Sequence, residues 1–224
     1  MTISVETTRE AWKRAATFPA SKELIYPTHA IVQEFDAQKN KRVLEYGCGG
    51  GSDTLSYLRR GCTVFYCDVV PENVNMTKLR VEQARLSARA YGLLLDASVP
   101  IPLGGGYFQV ISSHGVLHHI EAPYPVLEEF RRLIDAKEGL LYVMLYTEFL
   151  RAHFEPTIKG LVAAKRCATE EEAFCWCTDG EGAPYARAYT EPEGRALIES
   201  AGFNVVTATL FNNNHFRTYK AQPK

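Results

Sequence analysis

The sequence predicts an α/β fold with a mainly parallel sheet, and two observations carry this prediction. Short β-branched and aromatic runs alternate with helix-like segments through residues 42–146, as in parallel strands joined by right-handed crossovers. Near the end of the chain, strand-like runs at 203–211 and 215–220 flank three consecutive asparagines, which predicts an antiparallel hairpin. In such a sheet, ligands bind at the carboxyl ends of the parallel strands.

The first half of the chain supplies most of the predicted elements. Two amino-terminal helices, at 6–18 and 28–38, are separated by Pro19 and Pro27, because proline interrupts a helix. Pro71 suits the first turn of a long helix. We expect strands at 42–46, 62–67, 93–95, 107–112 and 139–146, and helices at 53–60, 71 to about 89 and 126–133.

Residues 147–190 break this alternation. A helix is expected at 158–166, after which the chain is expected to be irregular through 179–182. The alternation resumes with a helix at 192–201. We therefore predict a single domain over 1–224, with an amino-terminal helical lid at 1–40 and an inserted substrate cap at 147–190.

Composition and charge restrict the class of partner. The chain has 224 residues, 25 Lys and Arg against 26 Asp and Glu, and a net charge of -1, so no basic surface favours a nucleic acid. The sequence shows neither an amino-terminal secretion signal nor a run of about 18 uncharged apolar residues. We expect a cytoplasmic protein with a small-molecule substrate and no membrane partner, while the oligomeric state stays open.

The six cysteines are expected to be free thiols. Without a secretion signal, an even cysteine number does not indicate disulfides in a chain of this size. Cys175 and Cys177 are separated by one residue and lack a matching His or Cys pair, so no metal site is predicted.

A glycine-rich turn follows the first predicted strand. The segment Gly47-Cys48-Gly49-Gly50-Gly51 comes directly after Val43-Leu44-Glu45-Tyr46. Glycine permits positive φ and lets backbone N–H groups approach a ligand that a Cβ would push away. Such turns bind adenosine-type cofactors, although many strand-to-helix turns are glycine-rich for steric reasons alone.

Acidic and polar residues follow the next three strands. Asp68 lies 21 residues after Gly47, where a ribose-binding carboxylate falls in nucleotide-binding α/β units. Asp96-Ala97 follows the third strand, where a side-chain oxygen could accept a hydrogen bond from an adenine amino group. Ser113-His114 follows the fourth strand. Each aspartate could instead be a helix cap or turn residue, but their occurrence on successive strands favours a nucleoside site.

The glycine spacing separates two classes of cofactor. Nicotinamide and flavin enzymes prefer G-x-G-x-x-G, whereas position 52 here is Ser. The pattern Glu45-x-Gly47-Cys48-Gly49-x-Gly51, with Asp68, Asp96 and the stretch 115–120, resembles the class I S-adenosylmethionine-dependent methyltransferases over residues 40–146. This resemblance implies a Rossmann-like sandwich: a seven-stranded, mainly parallel sheet with a carboxyl-terminal antiparallel hairpin and helices on both faces.

The resemblance also implies S-adenosyl-L-methionine as cofactor and assigns its contacts. The glycine turn would meet the methionine moiety, Asp68 the ribose and Asp96 the adenine. Glu45 either faces the amino end of the cofactor or only fixes the loop. The full set of expected cofactor contacts is Glu45, Gly47, Cys48, Gly49, Gly51, Asp68, Val69, Asp96, Ala97, Ser113 and His114.

Histidines after the fourth strand are the candidate catalytic residues. Val116-Leu117-His118 resembles the Ile-Leu-His stretch of phosphoethanolamine methyltransferases, in which the histidine serves as base with a tyrosine from a lid. This resemblance proposes His118 as the base and Tyr26 as its partner. His119 is the alternative, and either histidine could instead hold the backbone of the turn.

The acceptor is expected to be a small organic molecule methylated on O or N, with S as a further alternative. The Asn/Asp-Pro-Pro-Tyr signature of amino-group methylation of adenine or glutamine is absent after the fourth strand, where Ser112-Ser113-His114-Gly115 stands. Two other functions stay open: a methyltransferase-fold binding or regulatory protein without turnover, and a nicotinamide-dependent oxidoreductase.

Overall fold

The computed structural model describes residues 34–96, 100–181 and 183–224. Within these ranges the chain forms an eight-stranded sheet with helices packed against it. The strands are β1 (Arg42–Tyr46), β2 (Thr63–Asp68), β3 (Ala90–Leu94), β4 (Val110–His114), β5 (Leu140–Thr147), β6 (Ala188–Tyr189), β7 (Phe203–Phe211) and β8 (Phe216–Pro223). The α-helices are α1 (Ser52–Arg59), α2 (Pro71–Gln83), α3 (Tyr124–Leu133), α4 (Glu148–Ala163), α5 (Glu170–Asp179) and α6 (Glu191–Ser200), and the 3-10 helices are Phe35–Gln38, Ser87–Arg89 and Leu117–His119.

The sheet has the order β3-β2-β1-β4-β5-β8-β7, and β6 pairs with the end of β5. Strands β1 to β5 are parallel, whereas β8 runs antiparallel to both β5 and β7. This arrangement confirms the predicted α/β fold with a carboxyl-terminal hairpin. It also brings the carboxyl ends of β1, β2 and β4 to one edge, where a ligand of a parallel sheet is expected.

Both faces of the sheet carry an apolar core. Leu44 and Ile111 pack on the face that contacts Phe130 of α3, while Val43 and Val110 pack on the face that contacts α1. All five side chains are fully buried. The consecutive apolar residues Val43-Leu44 of β1 and Val110-Ile111 of β4 follow from this two-sided burial.

A third apolar cluster lies beneath the segment between β5 and β6. Met144 from β5, Phe174 from α5 and Phe216 from β8 meet there. The cluster joins the end of the sheet to helices α4 and α5. The segment 147–190, which is predicted to be a substrate cap and is called the cap below, therefore packs against the sheet through its own core.

The expected irregular structure of the cap is wrong for most of its length. Helix α4 begins directly after β5 and α5 occupies Glu170–Asp179. Both helices have threonine caps, since Thr147 accepts from the Leu150 N–H and Thr169 from the Glu172 N–H. These caps satisfy the first free N–H groups of each helix, and α4 continues through the internal Pro156.

Other boundaries shift by a few residues. The 3-10 helix Phe35–Gln38 replaces the α-helix expected to reach residue 38, and α2 ends at Gln83 rather than near Arg89. Strand β4 begins at Val110, three residues later than predicted, and includes Ser113 and His114. The first 33 residues, which hold nearly all of the predicted lid, lie outside the described residues.

Strand β6 was not predicted. Its two residues pair in parallel with Tyr146 and Thr147 of β5, so the returning end of the cap is attached to the sheet edge. In the parts of the chain that the structure describes, no helix combines the length and apolarity needed to cross a membrane.

Candidate active site

The glycine turn lies at the carboxyl ends of β1 and β2. The N–H groups of Gly47 and Cys48 both donate to the Cys67 carbonyl, at 2.8 and 2.9 Å. Gly47, Gly49 and Gly51 have φ values of 81°, 49° and 77°, which side chains with a Cβ rarely adopt. A Cβ at Gly47 would also overlap the Val116 side chain, so glycine is required there by both conformation and space.

The turn leaves room for a ligand at Gly49. A Cβ added at this position would meet no atom of the described residues within 4 Å, so these residues leave open space beside the turn. Three side chains fix the turn from behind: Thr77 donates to the Gly49 carbonyl at 3.0 Å, Arg80 donates to the Gly50 carbonyl, and Thr54 donates to Glu45. Sequence analysis missed all three, since nothing in their local pattern separates them from ordinary helix residues.

Asp68 joins the glycine turn to the start of α2. Its Oδ2 accepts from the Gly49 N–H at 3.0 Å and from Asn73 Nδ2 at 3.2 Å, and its Oδ1 accepts from the Val70 N–H at 2.9 Å. Burial raises the pKa of Asp68, while these hydrogen bonds act in the opposite direction. Because each carboxylate oxygen accepts in about two directions, ribose hydroxyls would share this carboxylate with the bonds that shape the turn.

Two other predicted cofactor contacts have buried side chains behind the turn. The Cys48 side chain is fully buried, so only its backbone can face a ligand, and burial raises the pKa of its thiol well above the ordinary value. Glu45 is also buried and accepts from Thr54 of α1. This contact links the end of β1 to α1 across the glycine turn. It agrees with the interpretation in which Glu45 fixes the loop.

Residues after β3 and in β4 complete the predicted cofactor set. Asp96 is exposed and follows Leu95, whose N–H donates to the Asp68 carbonyl at 2.8 Å. Val69, beside Asp68, is half-buried, and Ala97 lies outside the described residues. Ser113 and His114 are buried within β4, and their contact with the cofactor stays a prediction.

His118 lies in the 3-10 turn that follows β4 and Gly115. The ring is fully buried and stacks on Tyr146 of β5, with 3.6 Å between centroids and 24° between planes. Neither ring nitrogen has a hydrogen-bond partner among the described residues. Burial lowers the pKa of His118 well below its ordinary value, neighbouring His119 acts in the same direction, and the Met144 backbone opposes them. The neutral ring therefore keeps a lone pair that can accept a proton.

His119 is engaged at both ring nitrogens. Nδ1 lies 2.9 Å from the Tyr185 carbonyl oxygen, and Nε2 lies 3.5 Å from Oδ1 of Asp179. Burial lowers the pKa of His119, while Asp179 and the Tyr185 backbone raise it. With both nitrogens committed to the cap, His119 is a weaker candidate for the base than His118.

Asp179 and Tyr146 were missed by sequence analysis. The Tyr146 hydroxyl donates to Oδ1 of Asp179 at 3.1 Å, next to the contact from His119. An aspartate at the end of an unpredicted helix and a tyrosine in a strand carry no motif, so only their contacts reveal them. Tyr26, the predicted partner of His118, lies outside the described residues.

The six cysteines form no disulfides in this structure. All six cysteines are free thiols, and five of them are buried. Across 34–96, 100–181 and 183–224, no group of three or more His, Cys, Asp or Glu side chains could hold a metal ion.

Known proteins resemble this chain in sequence over its first strands. Residues 44–143 match the family model described as a methyltransferase domain. Ubiquinone biosynthesis O-methyltransferase from Cereibacter sphaeroides (strain ATCC 17029) is 30% identical over 118 residues, which are 50% of this chain and 47% of that protein. The protein of the same name from Psychrobacter cryohalolentis is 29% identical over 94 residues, 42% of this chain and 37% of that protein. The chain thus spans about half the length, or less, of these curated relatives.

Solved structures share the architecture over nearly the whole chain. A SAM-dependent methyltransferase from Aquifex aeolicus has a TM-score of 0.65 at 17% identity, covering 96% of this chain and 97% of that one. A Burkholderia thailandensis 1,6-didemethyltoxoflavin-N1-methyltransferase has a TM-score of 0.67 at 18% identity, covering 98% and 88%.

The architecture is therefore that of the class I S-adenosylmethionine-dependent methyltransferases. Residues 44–143, which include the glycine turn, Asp68 and the histidine turn, match the methyltransferase domain model within this architecture. The family resemblance predicted from the glycine motif is confirmed.

Proposed function

We propose that this chain transfers a methyl group from S-adenosyl-L-methionine to an oxygen atom of a small organic molecule. The observation that carries the proposal is the convergence of the glycine turn, Asp68 and the histidine turn at one edge of the sheet. The glycine turn contacts both of the others, since Gly49 donates to Asp68 at 3.0 Å and Gly47 lies against Val116, at the start of the histidine turn. The O-methyltransferase names of the curated relatives favour oxygen as the acceptor atom, and nitrogen is the alternative.

The residues at the edge fit this cofactor. The open space at Gly49 and the backbone of the glycine turn suit its methionine moiety, Asp68 its ribose and Asp96 its adenine. When bound, the cofactor supplies a methyl group on a sulfonium, which is a good leaving group. The chain then has to align the acceptor and exclude water, and proximity of this kind can contribute about 7–11 kcal/mol.

His118 is proposed as the group that takes the acceptor's proton. Its low pKa keeps the ring neutral, and a well-placed base contributes about 10²–10⁴-fold to the rate. The ring is fully buried, so an acceptor must displace part of what covers it. The Arg187 N–H donates to the His118 carbonyl at 2.9 Å, which places the returning end of the cap over this turn.

A cofactor titration and a product assay test the proposal. The protein is titrated with S-adenosylmethionine and with NADH by calorimetry, and is then incubated with methyl-labelled S-adenosylmethionine and a panel of phenols, alcohols, carboxylic acids, amines and thiols. Protein and tRNA serve as controls. We expect label on an oxygen of a small acceptor. Failure to bind S-adenosylmethionine would overturn the proposal, and binding without transfer to any acceptor would identify a binding protein.

We also infer a cytoplasmic location and no nucleic-acid partner from the balanced charge. Cell fractionation and a filter-binding assay with tRNA and duplex DNA test these two points. Recovery in a membrane or extracellular fraction, or salt-sensitive retention of either nucleic acid, would contradict them.

A further inference from the structure

We propose that Asp179 is a positioning residue that holds Tyr146 and His119 in place and thereby fixes His118 in its orientation for methyl transfer. The inference rests on the proposed function, because it assigns to a cap residue the support of the candidate base. It concerns a group of side chains from three elements: the turn after β4, the end of β5 and the end of α5. They are named below as the Asp179 cluster, consisting of Asp179, Tyr146, His119 and His118.

Asp179 occupies an unfavourable place for a carboxylate. It is the last residue of α5, where the helix dipole presents its negative end, and its side chain is only 4% exposed. Burial of a carboxylate costs several kcal/mol unless it is paired and hydrogen-bonded. An aspartate at this position does not stabilise the helix. The contacts of its side chain with other elements are therefore the reason for its place there.

Those partners converge on one oxygen atom. Oδ1 accepts from the Tyr146 hydroxyl at 3.1 Å and lies 3.5 Å from Nε2 of His119. Oδ2 has no hydrogen-bond partner among the described residues. The Asp179 carboxylate of α5 therefore contacts both β5, through Tyr146, and the turn after β4, through His119.

The negative charge of Asp179 favours the protonated form of His119. Nδ1 faces the Tyr185 carbonyl and Nε2 faces Asp179, so both nitrogens point at acceptor oxygens. Neutral imidazole has one N–H, whereas imidazolium has two, so this geometry favours the protonated ring when Asp179 is ionised. Burial opposes this effect by lowering the pKa of His119. The titratable side chains in contact with the ring include His118 of its own turn, Tyr146 of β5 and Asp179 of α5. Cys175 acts electrostatically on Asp179, and Arg187 and Glu121 act on Tyr185, whose backbone carbonyl faces Nδ1.

Tyr146 transmits the position of Asp179 to His118. Its ring stacks on His118 at 3.6 Å between centroids and meets His119 edge-on at 5.3 Å. The Tyr146 hydroxyl is hydrogen-bonded to Asp179. The ring is therefore held at its hydroxyl end as well as at its attachment to the backbone of β5. Loss of the carboxylate would remove the hydrogen bond that orients the far end of the tyrosine ring, on whose face His118 stacks.

Asp179→Asn tests the proposal, with Glu181→Gln as its matched control. Glu181 lies two residues further along the cap, is 70% exposed and only reaches Arg166 at 4.0 Å. Asparagine keeps the size of the side chain but removes the charge, and its single carbonyl oxygen holds the Tyr146 hydroxyl and the His119 ring more weakly than a carboxylate does. We expect kcat to fall about 10-fold or more, since small misplacements near the reacting atoms are costly. The KM values and the affinity for S-adenosylmethionine should stay within about twofold of wild type, because the cofactor contacts lie on other strands.

A second readout needs no substrate. Histidine-selective ¹⁵N NMR, with His119 assigned from a His119→Gln variant, reports the protonation of the ring. We expect the apparent pKa of His119 to fall in Asp179→Asn and to be unchanged in Glu181→Gln, because an adjacent anion favours the charged imidazole. If Asp179→Asn does not fold, Tyr146→Phe replaces it, since this change keeps the stacked ring and removes only the hydroxyl. It should lower kcat with unchanged cofactor affinity.

The outcomes separate this inference from the proposed function. A wild-type protein without methyl transfer would refute the function and with it the positioning role. Active wild-type protein together with wild-type kcat in both Asp179→Asn and Tyr146→Phe, or an unshifted His119 titration in Asp179→Asn, would overturn the role of Asp179 alone. Equal losses in Asp179→Asn and Glu181→Gln would also overturn it, since a general disturbance of the cap would then explain them.

Discussion

The glycine turn and the Asp179 cluster lie at neighbouring strand ends but are held together differently. In the glycine turn, backbone N–H groups bond to Cys67 and Asp68, which are about 20 residues away in the chain. In the Asp179 cluster, the Tyr146 hydroxyl donates to Asp179, 33 residues away, and the His119 ring also contacts the backbone carbonyl of Tyr185, 66 residues away. The first region is built mainly from backbone hydrogen bonds around one turn, whereas the second is built from side chains of segments that are far apart in the chain.

This difference predicts two separable classes of variant. Changes in the glycine turn should weaken the binding of S-adenosylmethionine, whereas changes around the histidine turn should lower kcat with cofactor affinity kept. The four predictions below test this separation, beginning with the largest effect.

His118→Ala should lower kcat by about 10²–10⁴-fold, the usual contribution of a positioned base. The affinity for S-adenosylmethionine should stay near the wild-type value, because His118 contacts Tyr146 and His119 rather than the glycine turn. Single-turnover kinetics and calorimetry measure the two quantities. Wild-type turnover with intact cofactor binding would refute the role of His118 as base.

Gly47→Ala should raise the Kd for S-adenosylmethionine by about 10–100-fold, because φ of 81° and overlap with Val116 force the turn to move and such strain costs about 1–3 kcal/mol. Gly104→Ala is the matched control, since a Cβ at Gly104 meets no atom within 4 Å. Calorimetry compares the two variants. Equal affinities for both would show that the shape of the turn does not govern cofactor binding.

Asp68→Asn should weaken the binding of S-adenosylmethionine by about 10-fold, since a hydrogen bond to a charged group is worth about 1.5–3 kcal/mol. An amide cannot accept at both of its heavy atoms, so it loses either the Gly49 and Asn73 bonds or the Val70 bond. Asp36→Asn should bind as wild type does, since the Asp36 side chain is 79% exposed and pairs with Arg60 on the surface. Cofactor affinity in Asp68→Asn equal to that of this control would remove Asp68 from the site.

The smallest effect is on stability at mildly acid pH. Burial lowers the pKa of His118, so the unfolded chain binds this proton at a higher pH than the folded chain does. Stability is therefore lost as pH falls below about 6.5, the unfolded value, by about 1.4 kcal/mol per pH unit down to the lowered folded pKa. Urea unfolding of wild type and His118→Gln between pH 7.5 and 5.5 should give a shallower slope for the variant. Parallel slopes would contradict a buried neutral His118.

The cofactor edge could be predicted because its information is local. A strand, a turn with positive φ and an acid after the next strand lie within residues 42–68, and each leaves its own signal in composition and spacing. Thr54, Thr77 and Arg80 escaped detection because each acts through one hydrogen bond from an ordinary position in a helix. The sequence pattern predicts the backbone conformation of the glycine turn but not the side chains that hydrogen-bond to it.

The sequence by itself determined the α/β class, the parallel strands, the carboxyl-terminal hairpin and the glycine turn with Asp68, because alternating apolar runs and glycine conformation are local properties of the chain. Only the tertiary structure decided that α5 and β6 exist, that β6 pairs with β5, and that Asp179 meets Tyr146 and His119. These features form because the apolar residues of the cap pack against the end of the sheet. Packing joins residues that are far apart in sequence, so no local pattern reports it.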